Sequence, residues 1–126
     1  MKTKSYKDLL VWQKGISLVE QIYILTKKLP AEEKFGLSSQ LQRAAVSIPS
    51  NIAEGYKRHN IREYVQFSGI AAGSLAELET QLVIVSKIYS DICVSNLLKD
   101  TDELQKMLYS FIKALKTKRY TLNAVS

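Results

Sequence analysis

Apolar residues recur along this chain at spacings of three and four, the period of one helix face, in four successive stretches. In the first, Leu9, Trp12, Ile16, Val19 and Tyr23 form the stripe, and Leu29-Pro30 closes it, because a residue before proline is pushed out of helical geometry. The second stripe is Leu41, Ala45, Ile48, Ile52 and Tyr56, with Gly55 placed to cap its end. The third runs through Tyr64, Phe67, Ala71, Leu75, Leu78, Leu82 and Val85, and the fourth through Leu104, Leu108, Phe111 and Leu115. These patterns predict helices over about 6–29, 37–56, 60–89 and 96–120. No segment alternates as a half-buried strand does, and no asparagine-glycine hairpin signal occurs. Short connections make consecutive helices antiparallel neighbours. The expected fold is all-α: one domain, 1–126, built as an antiparallel up-down-up-down four-helix bundle.

Two features do not fit a plain bundle. Pro49 lies inside the second stripe, where it removes a helical hydrogen bond and strains the turn, at a cost of roughly 3 kcal/mol or more. The stripe keeps its phase through the proline, which predicts one helix kinked at Pro49. The carbonyl of Ala45, four residues back, then needs another donor, and Ser47, Ser50 and Asn51 are suited to supply it. The third segment is also too apolar. Beside its main stripe lie Val65, Ala72, Ala76 and Val83, with Ile70, Ile84 and Ile88 beyond them and a Gly69-Gly73 spacing that admits another backbone. A helix apolar nearly all round needs cover nearly all round. That excess predicts a partner surface, most simply a second copy of the chain.

Composition narrows the class. The 126 residues carry 46% hydrophobic and 24% charged side chains, ordinary values for a globular domain. The single cysteine cannot pair within the chain, and the basic start lacks an apolar run of signal length. A cytoplasmic protein without membrane contact is the expectation. Net charge is +6, which favours anionic partners, nucleic acid first. The cations are clustered: Lys57, Arg58 and Arg62 surround the turn after the second helix, and Lys113, Lys116, Lys118 and Arg119 crowd the end of the fourth. In an up-down-up-down bundle those two regions share one end. Aromatic neighbours suited to base stacking are few there, Tyr56 and Tyr120. That favours recognition of phosphates and shape over sequence.

A polar stripe runs through the middle of the chain. Arg43, Ser47, Asn51 and Glu54 share a face of the second helix, and Glu77 and Glu79 sit on the third, so that Arg43 is expected to meet Glu77 or Glu79 across the helix pair as a register-fixing ion pair. Catalysis is not expected. His59 has no carboxylate at helical spacing to orient it, and thiol clusters, metal-ligand spacings and phosphate loops are missing. No cofactor and no metal is implied.

The stretches DLLVWQKG, FGLSSQLQRAAVSIPSNIAEGYKR and GSLAELETQL together resemble the bacterial four-helix bundle proteins encoded in intervening sequences of 23S ribosomal RNA genes, also labelled S23 ribosomal protein. The resemblance covers about Tyr6 to Tyr120. It implies an antiparallel bundle assembled into a ring-like pentamer. A related branch, the accessory variability protein of diversity-generating retroelements, implies binding of nucleic acid and of a nucleic-acid-processing protein. The family pattern falls on Arg43, Ser47, Pro49, Asn51, Glu54, Gly55, Gly73, Ser74, Glu77 and Glu79. Gln42 departs from it, since relatives often carry a second basic residue there. The functional expectation is a non-enzymatic oligomeric accessory protein for structured RNA or other nucleic acid. The alternative is a scaffold whose partner is protein.

Overall fold

The computed structural model describes the backbone of residues 4–125 and the side chains of residues 4–118. It contains four helices: α1 Leu10–Thr26, α2 Leu37–Lys57, α3 Ile61–Ile88 and α4 Ser95–Val125. Single helical turns at Tyr6–Asp8 and Ala31–Glu33 precede α1 and α2. Each helix packs on its neighbours in the chain, and α1 also packs on α4, which closes a four-membered ring around one apolar core. The contacts fix the helix directions. Tyr6, just before α1, meets Tyr56 at the end of α2, while Gln42 early in α2 donates to Thr26 at the end of α1 (3.0 Å). Tyr64 at the start of α3 meets Phe111 late in α4. This is an all-α four-helix bundle. Among the described residues no helix is long and apolar enough to cross a membrane.

Three boundaries differ from the sequence reading. The first helix does not begin near residue 6: Leu9 is extended (φ −73°, ψ 128°) and separates a turn capped by Ser5 from α1. It also ends at Thr26, short of Leu29, with the chain already turning toward Pro30. At the other extreme α4 continues past residue 120 to Val125, a stretch with neither glycine nor proline to stop it. Asn60 caps α3, its Oδ1 accepting from the Glu63 amide at 2.8 Å.

The buried face of α1 is Val11, Leu18, Ile22 and Leu25, one position around from the stripe expected. Leu9, Trp12 and Val19 pack at its edge, and Tyr23 is exposed. Residues 9–25 of this segment are apolar on too wide an arc for periodicity to choose the face, and contact with α2 and α4 chooses it. In α2 and α3 the expected stripes do line the core: Leu41, Ala45, Ile48 and Ile52 face Ala71, Leu75, Leu78, Leu82 and Val85. Helix α2 runs unbroken through Pro49. The ring of Pro49 is buried against Gly15 of α1, where a Cβ would stand 3.3 Å from Pro49 Cδ.

Gly55 is a packing residue and not the C-terminal cap. The helix continues beyond it to Lys57, and no residue in the described chain has positive φ. A Cβ on Gly55 would lie 2.9 Å from Phe67 Cβ and 3.2 Å from the Tyr64 carbonyl oxygen, so its absence lets α2 and α3 close on each other. Gly69 and Gly73 differ. Nothing among the described residues lies within 4 Å of a Cβ at either, so no packed neighbour described in the chain accounts for them.

Candidate nucleic-acid interface

One end of the bundle gathers the N-terminal turn, the α2–α3 connection and the last third of α4. Edge-to-face aromatic contacts hold these pieces together. Tyr6 meets Trp12 (5.5 Å between centroids) and Tyr56 (6.3 Å), Tyr56 meets Tyr64 (6.1 Å), and Tyr64 meets Phe111 (5.6 Å). The ladder therefore touches every helix. Burial, with a smaller push from Tyr56, holds the Tyr64 phenol up at about 12. Tyr56 is thus a brace within the fold and not a free stacking surface. The side chain of Tyr120 lies outside the described residues.

Cations surround this ladder. Lys4 and Lys7 arrive with the N-terminal turn, Lys57, Arg58 and Arg62 with the connection, and Lys113, Lys116 and Lys118 with α4. The carboxylates near them are Asp8, Glu54 and Glu63. Arg58 is engaged inside the molecule: its Nη2 donates to Glu54 Oε1 at 2.7 Å and its guanidinium lies over the Phe67 ring, 4.8 Å from the centroid. Lys57, Arg62, Lys113, Lys116 and Lys118 are exposed and have no ion-pair partner among the described residues. Arg119, the last cation predicted for this surface, has its side chain outside the described residues. Because Phe111 is level with Tyr64, only one turn inside α3, the remainder of α4 overhangs the bundle by about 15 Å at 1.5 Å per residue.

Lys4 and Lys7 were not among the residues assigned to this surface from the sequence. Only the docking of the N-terminal turn on α2 brings them there. Tyr109, a third residue outside that assignment, differs. Its spacing to Lys113 and Lys116, four and seven, puts all three on one helix face and was readable, but the residue lies outside the basic cluster proper.

The central polar stripe forms a smaller network than expected. Ser47 Oγ and Ser74 Oγ are 2.8 Å apart across the α2–α3 seam, and Asn51 Nδ2 donates to both the Ser47 carbonyl (2.7 Å) and Ser47 Oγ (2.9 Å). The carbonyl served is therefore that of Ser47, and not that of Ala45 behind the proline. The ion pair between Arg43 and Glu77 or Glu79 is not formed. Arg43 and Glu77 both face outward and stay exposed, Glu77 accepts instead from Gln81 Nε2 (3.3 Å), and Glu79 lies around α3 toward α4. The cross-helix ion pair among the described residues joins Lys14 and Glu103 at 3.2 Å, between α1 and α4. The two serines reach across the seam, with Asn51 bracing Ser47 from within α2, where the long charged side chains turn to solvent.

Among the described residues no three His, Cys, Asp or Glu side chains converge as a metal site. His59 is exposed in the basic turn. The chemistry on offer at this end is a field of ammonium and guanidinium groups around a packed aromatic base, suited to phosphate oxygens.

No curated protein matches the chain. Among solved structures it is similar to a protein of unknown function from the S23 ribosomal protein family of Bacteroides thetaiotaomicron. The two share 25% identity at a TM-score of 0.75, over 82% of this chain and 99% of that one. The family model described as 23S rRNA-intervening sequence protein matches residues 7–110, which include the first three helices and half of the fourth. The chain belongs to the 23S rRNA-intervening sequence protein family.

Proposed function

We propose that this chain is a non-enzymatic, oligomeric accessory protein of the cytoplasm that binds structured RNA through the basic end of its bundle. One observation carries the reading: cations from three separate segments of sequence converge on one end, around carboxylates that are too few to neutralise them. At the opposite end Lys27, Lys28, Lys34, Lys87 and Lys99 share the surface with Glu32, Glu33, Asp91 and Asp100. The molecule is therefore polarised, and an anionic polymer is drawn to one pole. The family's name, which refers to 23S rRNA, supports RNA as that polymer.

The test replaces one cation from each contributing segment: Lys7→Gln, Arg62→Gln and Lys118→Gln together, leaving the aromatic ladder untouched. Binding of a folded RNA, followed by fluorescence anisotropy across a salt series, should weaken, and the slope of log K against log salt should flatten by about 2. Melting should be unchanged. Equal affinity with an equal slope would make the basic end an ordinary solvated surface.

A second reading, a scaffold for protein, is favoured by a specific observation. The outward face of α3 exposes Ile70, Gly73, Ile84 and Ile88, with Val83 beside them and Glu77 and Thr80 between. Self-association through that face fits both readings, and it repeats the basic pole in each copy.

A further inference from the structure

Three aromatic side chains outside the packed ladder are exposed: Tyr23 on α1, and two that stand further clear, Phe35 and Tyr109. Phe35, at the near-neutral end, has the Lys34 ammonium over its ring, 5.4 Å from the centroid. Tyr109, 70% exposed, lines a groove of about 390 Å³ between α3 and α4 together with Ala72, Gln105, Ile112, Lys113 and Lys116. A volume of that order takes a group the size of a small ligand. Tyr109, Lys113 and Lys116 share one face of α4, with the two lysines about 6 Å and 10.5 Å further along the axis at 1.5 Å per residue. The α3 side of the groove is low. Ala72 is its lining residue, and one turn before it Gly69 leaves open space. The result is an accessible aromatic surface with an apolar floor, one amide, and two cations at the rim that have no ion-pair partner among the described residues.

Building on the RNA reading above, we propose that this groove takes an unpaired nucleotide of the bound RNA. The base stacks on Tyr109 over Ile112 and Ala72, Gln105 offers its amide to the base edge, and Lys113 and Lys116 hold the flanking phosphates. In an A-form duplex the bases are stacked on one another and offer no free face, whereas loops, bulges and ends do. Aromatic stacking accepts any base, so the groove selects unpaired over paired RNA without reading sequence. Charge complementarity argues for this occupant. A copy of the same basic groove would set lysines against lysines, and a phosphodiester strand sets anions against them.

The test compares the full-length protein with Tyr109→Ala, Tyr109→Trp and the double variant Lys113→Gln/Lys116→Gln. Two labelled probes of equal phosphate number are used, a single-stranded oligouridylate and a blunt RNA duplex. Tyr109→Ala should weaken single-strand binding about five- to a hundredfold with little change in salt slope, and Tyr109→Trp should restore it. Duplex binding by Tyr109→Ala should match the parent. The double lysine variant should lower affinity for the single strand and flatten its slope by about 1.4. If Tyr109→Ala binds both probes as the parent does, the stacking site is refuted while the RNA reading stands. If the parent binds neither probe, the RNA reading itself falls. If Tyr109→Ala changes the sedimenting mass, the groove is a contact between copies and the proposal is overturned.

Discussion

Arg43 and Gly55 belong to the same sequence motif, yet packing gives them opposite consequences. Arg43 is exposed and unpaired among the described residues, so Arg43→Ala should leave the urea unfolding free energy within about 0.5 kcal/mol of the parent. A loss of several kcal/mol would reveal a buried charge partner in the assembled protein. Gly55→Ala places a methyl 2.9 Å from Phe67 Cβ and 3.2 Å from a backbone oxygen that cannot rotate away. The helices must separate, and overpacking of this kind costs about 1–3 kcal/mol. Gly69→Ala meets open space in mid-helix, where alanine is preferred to glycine by about 1 kcal/mol. It should therefore raise stability, as measured by the same denaturant titration. Both changes add one methyl at a helical glycine, and the surroundings set the sign.

At the scale of elements, the clearest clamp joins the start of α2 to the end of α3. Glu33 Oε1 accepts from the Leu37 amide (3.2 Å), taking the place of the missing side-chain cap at Gly36, while Glu33 Oε2 accepts from the Tyr89 hydroxyl at 2.6 Å. The Tyr89 bond, and then the Leu37 amide, hold the Glu33 carboxyl below its usual 4.5. The same bond, with burial and the charges of Glu33 and Glu32 behind it, pushes Tyr89 up to about 12. For Glu33 the folded pKa is depressed, so its stabilising effect is present above 4.5 and fades as pH falls through the lower folded value. For Tyr89 the folded pKa is raised above 10, so its effect is full below 10 and fades as pH rises through about 12. The stability difference between the parent and Tyr89→Phe should thus be flat between about pH 5 and 10 and shrink on both sides. A difference independent of pH across urea titrations would mean that the bond is not formed in solution. Tyr64, raised by burial, keeps its own alkaline sensitivity in either protein.

For the whole molecule, polarity and adhesion lie on different surfaces. The basic pole is an end of the bundle, whereas the exposed apolar residues lie along the side of α3. An assembly made side to side through α3 leaves the poles free and aligns them. The expected outcome is that the parent sediments well above its 14.3 kDa chain mass at micromolar concentration, and that Ile70→Gln/Ile84→Gln returns it to that mass with its helicity intact. RNA affinity of that variant should fall along with assembly, because each complex then presents one pole in place of several. A parent that sediments as a single chain would refute the assembly.

Helix count, the core faces of α2 and α3 and the family are all legible in the amino-acid order, because three- and four-residue spacing, proline placement and a contiguous motif are local properties of the chain. That order also located most of the cations of the basic pole, since a bundle of antiparallel helices can only bring the ends of α2 and α4 together. Tertiary structure decided the rest. The buried side of α1 was set by which neighbours it met, since its own residues are apolar over too wide an arc. Gly55 and Gly69 look alike in sequence, and only the approach of α3 distinguishes a forced contact from empty space. Arg43 and Glu77 suit an ion pair by type, but whether two side chains meet depends on their rotation about two helix axes, and one-dimensional spacing does not fix the rotation of one helix against another.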